Sequence, residues 1–245
     1  MSLQPVPYDC EGTTLTGYLA MPMSDQPVPG VLVAHEAVGV SDHVKSRAAA
    51  LADIGYAAFA LDMYGSVPSS PEESNGLHTE LFDVPGLLLN RANAGLRTLA
   101  AQPGVDSSRL AAIGFCQGGI TVLELARTGA PILAAIGFHP GYIRPNGSQD
   151  GPIAAKVLMM SGTEDPYASP DDFAGFSTEM RARATDWQLH LFGGVAHTFT
   201  NPAVDALGLP GMRYDAGADR RSWAMMHTLL EECFYSGHAA VQPRP

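Results

Sequence analysis

The sequence predicts an α/β fold: a mostly parallel central sheet with helices on both faces, an antiparallel N-terminal hairpin and no separate cap domain, with residues 1–245 as a single domain. Three observations carry this reading. Continuous apolar runs such as Val31-Leu32-Val33-Ala34 and Val157-Leu158-Met159-Met160 suit strands covered on both faces. Segments with apolar residues at helical spacing lie between the runs, and strands alternating with helices imply parallel pairing. The 245 residues show no internal repeat or linker and are compatible with one large domain.

Taken in order, Val6-Tyr8-Cys10 and Leu15-Tyr18-Leu19 flank Glu11-Gly12-Thr13 and read as a hairpin at a sheet edge. After the Val31–Ala34 strand, Ser41-Asp42 offers an N-cap to a helix with Val44, Ala48, Leu51 and Ala52 on one face, ended near Gly55. Tyr56 to Leu61 is the next strand. Residues 65–82, beginning GSVPSSPEES, read as a long polar loop. Leu87 to Leu99 returns to helix, Leu110 to Gly114 is a strand, and a helix follows to about Arg127. Further strand and helix pairs come from Pro131–Gly137, Val157–Gly162, the helix Phe173–Ala184, the half-wet strand Trp187–Phe192 and a last helix, Gly217–Phe234.

Composition narrows the function classes. The formal charge is −11 at pH 7 with no basic run, so nucleic acid is not an expected partner. No segment reaches the ~18 uninterrupted apolar residues of a membrane span, and the N-terminus lacks a basic leader, so a cytoplasmic protein is expected. The three cysteines, Cys10, Cys116 and Cys233, are widely spaced and suggest neither disulfides nor a zinc site.

The chemistry gathers where strands end. Gly114-Phe115-Cys116-Gln117-Gly118 joins a strand to a helix with glycines two before and two after one residue, the nucleophile-elbow pattern with cysteine in place of serine. Ligands of open α/β sheets bind at the carboxyl ends of the strands. Four such ends hold reactive groups: His35-Glu36-Ala37, Cys116, Thr163-Glu164-Asp165-Pro166, and the Gly193-Gly194-Val195-Ala196-His197 turn. The order nucleophile, acid, histidine is that of the α/β-hydrolase triad, so an α/β-hydrolase fold is expected.

A thiol with its ordinary pKa near ~8.5 needs a base or a neighbouring cation, a task for His197, which a carboxylate at Asp165 would orient; Glu164 competes for that role. The backbone N–H groups of Gln117 and Ala37 stand where an oxyanion hole requires them. His35 reads as a core histidine, and Glu36 faces the crevice, where its carboxylate can accept the thiol proton. The spacing of His35, Glu36, Asp42 and His43 matches no metal-ligand pattern, so no metal is expected.

With these residues assembled, the sequence resembles the dienelactone hydrolase family. The resemblance rests on VLVAHEAVGV around Glu36, ALDMYG, IGFCQGG around Cys116, SGTEDPY around Asp165 and FGGVAHTF around His197, and covers roughly residues 8–235. It implies a cofactor-free Cys116-His197-Asp165 triad acting on a small-molecule enol-lactone or related ester through an acyl-enzyme. Glu36 would hold the thiol neutral until substrate moves the carboxylate and lets it deprotonate the sulfur. One feature of the family is absent: a pair of arginines that holds the substrate's carboxylate. Residues 62–90 contain no arginine or lysine, and Asn201 stands four residues beyond His197. A neutral ester is therefore the expected substrate, with Tyr64, His78 and Asn201 as candidate substrate contacts and Arg213 as a further loop candidate. A redox-sensing thiol or a binding module on the same fold are the alternatives; no resolving cysteine lies near Cys116, and an intact triad favours catalysis.

Overall fold

Strands β1 (Gln4–Cys10) and β2 (Thr13–Ala20) form the expected hairpin, turned by Glu11 and Gly12, both at positive φ as a two-residue loop matching the strand twist requires. The structure is a computed structural model that describes residues 3–235. Beyond the hairpin come β3 (Val28–Ala34), α1 (Asp42–Asp53), β4 (Ala57–Ala60), α2 (Pro71–Asp83), α3 (Leu87–Ala100) and β5 (Val105–Phe115). Then follow α4 (Gln117–Arg127), β6 (Ala134–Phe138), β7 (Lys156–Gly162), α5 (Pro170–Ala182), β8 (Trp187–Phe192) and α6 (Ala216–Tyr235). One eight-stranded sheet results, in the order β1-β2-β4-β3-β5-β6-β7-β8, antiparallel through β1, β2 and β4 and parallel from β4 onward.

Side chains of a strand alternate between faces, which is why the apolar runs are continuous. On one face Val31 and Val33 of β3 and Ile113 and Phe115 of β5 pack with Val44, Ala48 and Leu51 of α1 and Met226 and Leu230 of α6. On the other, Leu32, Ala34 and Ala112 meet Leu88, Ala92 and Leu96 of α3 and Val122 and Leu125 of α4. Both faces are dry, so a strand there has no polar position to spare. Among the described residues no helix is long and apolar enough to cross a membrane.

Two expectations fail. The stretch 65–82 is not a long loop: from Pro71 it is helix α2. Ser70 caps it, its side chain accepting the Glu73 N–H at 3.2 Å; Pro71 opens it, Glu72 and Glu73 sit at its positive end, and Leu81 and Phe82 are the residues it buries. Local capping chemistry outweighs a composition that looks like loop. The alternation of strands and helices also breaks, because β6 and β7 are joined by residues 139–155 with no helix.

That connection is held by charge. Glu124 of α4, fully buried, accepts from Arg127 Nη1 at 2.6 Å and from Arg144 Nε, on the connection, at 3.1 Å. Arg127 is also paired with Glu179 of α5 at 2.6 Å. Glu124→Ala leaves Arg127 with Glu179 alone and releases Arg144 from α4, with only its bonds to Asp150 and the Gln149 carbonyl within the connection. A loss of about 3 kcal/mol in unfolding free energy is expected, read as a lower urea midpoint at unchanged slope; a midpoint equal to the parent's would show that the connection is held by other contacts.

Candidate active site

β5 lies between β3 and β6, and the chain leaves its carboxyl end through Cys116, whose φ of 53° and ψ of −115° mark the sharp reversal into α4. The reversal depends on its glycines. A Cβ on Gly114 would run into the Gly118 carbonyl, and one on Gly118 into the backbone of Ala34 and His35. The Cys116 N–H is shared between the Phe138 carbonyl at 3.0 Å and Nδ1 of His139 at 3.1 Å. As the first helical residue, Gln117 keeps an N–H without an intrahelical partner.

Asp165 follows β7 and His197 follows β8. Both are buried, and His197 Nδ1 meets Asp165 Oδ2 at 2.7 Å, while Asp165 Oδ1 accepts the Tyr167 N–H at 2.8 Å. Glu164 is exposed and makes no contact of this kind. The Tyr167 ring stands edge-on to His197, centroids 4.8 Å apart. Burial alone would lower the pKa of His197, but a Cys116 thiolate and the Asp165 carboxylate outweigh it and push the imidazole up to about 10. His197 Nε2, the other ring nitrogen, is buried without a hydrogen-bond partner.

Glu36, just past β3, is buried as well. Its Oε2 accepts from Asn201 Nδ2 at 3.1 Å and from His43 Nδ1 at 3.2 Å, whereas Oε1 has no partner. His43 Nε2 lies 3.0 Å from the Thr200 carbonyl and 3.2 Å from Arg47 Nε, and Arg47 is anchored on the same carbonyl and on Asp219 at 2.7 Å. Asn201 thus faces Glu36. His35 ties strand ends together: Nδ1 contacts the Glu36 carbonyl at 2.6 Å and Nε2 accepts the Met63 N–H at 3.1 Å. Its burial lowers its pKa and keeps it neutral.

Tyr64 and His78 converge on one atom. The Tyr64 hydroxyl and His78 Nδ1 reach Gln117 Oε1 at 2.7 and 2.6 Å. Arg213 instead packs beside the histidine loop, its backbone N–H bonded to the His197 carbonyl at 3.0 Å. Among the described residues, no three or more His, Cys, Asp or Glu side chains come together as a metal-binding group.

Three participants were not picked out in the sequence: the Gln117 side chain, the His43–Arg47 pair and His139. His139 was findable, since it ends β6 as His35 and Cys116 end β3 and β5. It is fully buried, at a φ of 41°, with Nε2 on Thr200 Oγ1 at 2.8 Å and its ring 5.1 Å from that of His197.

A parallel sheet with a glycine-flanked elbow after a central strand, and a histidine and a carboxylate meeting from the ends of later strands, is the arrangement of the α/β-hydrolases, the fold class the sequence led us to expect. The model of the dienelactone hydrolase family matches residues 15–234, and the chain belongs to this family of ester and lactone hydrolases. A crystal structure of a dienelactone hydrolase-like promiscuous phosphotriesterase from metagenomic libraries superposes with a TM-score of 0.89 at 39% identity, covering 95% of this chain and 98% of that one. A "probable 2-oxo-3-(5-oxofuran-2-ylidene)propanoate lactonase" of Bradyrhizobium is 27% identical over 80% of this chain and 83% of its own length. An uncharacterized Caenorhabditis elegans protein is 34% identical over 62% of this chain and 98% of its own.

Proposed function

We propose that the protein hydrolyses neutral carboxylic esters or lactones through a Cys116-His197-Asp165 triad and an acyl-enzyme. The observation that carries this is the buried His197–Asp165 pair, 2.7 Å apart, with the unpartnered Nε2 of His197 electrostatically linked to the Cys116 sulfur. An imidazole that already holds its proton is an acid. The remaining unpartnered acceptor, Glu36 Oε1, takes the thiol proton. The thiolate attacks the carbonyl carbon, and the oxygen takes up charge against the N–H groups of Gln117 and Ala37. Collapse breaks the bond to the leaving oxygen, which receives the proton of His197, and a thioester remains on Cys116. Neutral His197 then draws a proton from water as it attacks the thioester. The acid leaves, the thiolate is released, and Glu36 returns the thiol proton.

The neutral substrate follows from charge. Glu36 and Asp165 bring two buried carboxylates to the site, residues 62–90 carry no lysine or arginine, and Asn201 is engaged with Glu36. The phosphotriesterase activity of the metagenomic relative is compatible with this reading, because a phosphotriester is likewise an uncharged electrophile. Acid-quenched digestion during turnover of 4-nitrophenyl butanoate should show the butanoyl mass on the Cys116 peptide, together with a burst of nitrophenol. Full turnover by Cys116→Ala would sink the proposal.

A further inference from the structure

Five buried side-chain nitrogen or oxygen atoms lack a hydrogen-bond partner among the described residues, and three of them belong to residues of this site: Glu36 Oε1, His197 Nε2 and Gln117 Nε2. The mechanism employs the first two. It also employs the backbone N–H of Gln117, but nothing in it uses the side chain. That side chain is 1% exposed, and with the His78 proton on Nδ1 the two lone pairs of its amide oxygen are filled by Tyr64 and His78. Both hydrogens of the carboxamide nitrogen are thereby left free. An unpaired buried donor is destabilising, yet here two neighbours hold it in place one residue from the reacting sulfur.

We propose that Gln117 Nε2 is a substrate-binding donor that takes a second, uncharged oxygen on the acyl part of the substrate, a ring, ether or keto oxygen close to the scissile carbonyl. Tyr64 and His78 are the positioning residues that aim it. The inference rests on the ester-hydrolase reading and adds a substrate class to it. The acyl part is favoured over the alcohol because it stays bonded to Cys116 through both half-reactions, whereas the alcohol departs after the first. The proposal therefore sets the donor of residue 117 against the acyl group through both half-reactions. An uncharged acceptor is favoured because the carboxylates of Glu36 and Asp165 are already in the site.

The test compares two 4-nitrophenyl esters of equal shape, butanoate and methoxyacetate, which differ by one ether oxygen in the acyl chain. Their difference in intrinsic reactivity cancels when the ratio of kcat/KM for methoxyacetate to butanoate is compared between wild type and variants. Gln117→Glu keeps an oxygen for Tyr64 and His78 while turning the donor into an acceptor, and Gln117→Met removes both functions. The ratio should fall about fivefold in each, as loss of one net hydrogen bond of about 1 kcal/mol implies. Tyr64→Phe, which keeps the ring and only loosens the carboxamide, should lower it by a smaller factor, and it serves if a Gln117 variant does not fold. A ratio within twofold of wild type in the folded variants would overturn the inference and leave Gln117 Nε2 to a structural water. Failure of wild type to turn over either ester would overturn the hydrolase reading itself, a distinguishable outcome.

Discussion

Asp165→Asn is expected to lower kcat by about 10³-fold or more, in line with the cost of removing the carboxylate behind a catalytic histidine. The reason is an accounting of donors. Both oxygens of Asp165 accept, Oδ2 from His197 Nδ1 and Oδ1 from the Tyr167 backbone N–H. An asparagine has one oxygen, so its NH₂ must face one of those two donors. Turned toward Tyr167, it opposes a backbone N–H in a buried turn. Turned toward His197, it forces the ring proton onto Nε2, the nitrogen that accepts one from water in the proposed mechanism.

The same substitution carries a signature in stability. With Asp165 ionised and Cys116 as the thiolate, native His197 holds its proton up to about 10, far above its ordinary value of 6.5. A raised pKa stabilises the fold fully below the unfolded value and ceases to do so as pH rises through the folded one. Replacing Asp165 removes part of that contribution. Urea midpoints of parent and variant should therefore be well separated at pH 6 and converge toward pH 10. A gap that widened with pH would mean that His197 is neutral in the native protein and that its pairing with Asp165 is of another kind.

What the sequence made legible was whatever local pattern governs. Runs of valine, leucine and alanine located β3, β5 and β7 because strands buried on two faces tolerate little else. Glycines at 114 and 118 located the elbow because backbone passes where a Cβ would stand. Helix α2 was obscured by its serines and glutamates, since Leu81 and Phe82 are the only residues it buries and no apolar stripe betrays it. The partners of Glu36 were hidden for a different reason. His43 and Arg47 lie on α1, Thr200 and Asn201 beyond β8 and Asp219 on α6, and only the folded sheet brings these separations of more than 150 residues to hydrogen-bond distance.

His139 yields the second large effect. Its Nδ1 accepts the N–H of Cys116, which requires the ring proton on Nε2, where Thr200 Oγ1 receives it. Burial, then the nearby charges of His197 and His43, hold its pKa well below 6.5, so the acceptor persists throughout the neutral range. One neutral ring thus joins the elbow to the loop carrying Thr200, with its edge against His197. His139→Leu removes the acceptor and the donor and sets a branched side chain at a φ of 41°. A loss of about 1–3 kcal/mol in stability is expected, because Thr200 Oγ1 loses its buried donor and the Cys116 N–H is left to the Phe138 carbonyl alone. A fall of about 10²-fold in kcat is expected from a displaced sulfur, with KM changed only a few-fold. His139→Asn should recover most of that fall, because asparagine tolerates positive φ and carries an acceptor and a donor on one group. Initial rates and urea midpoints measured on the two variants separate these effects. Equal losses of kcat in Leu and Asn would show that His139 fills space and does not orient Cys116.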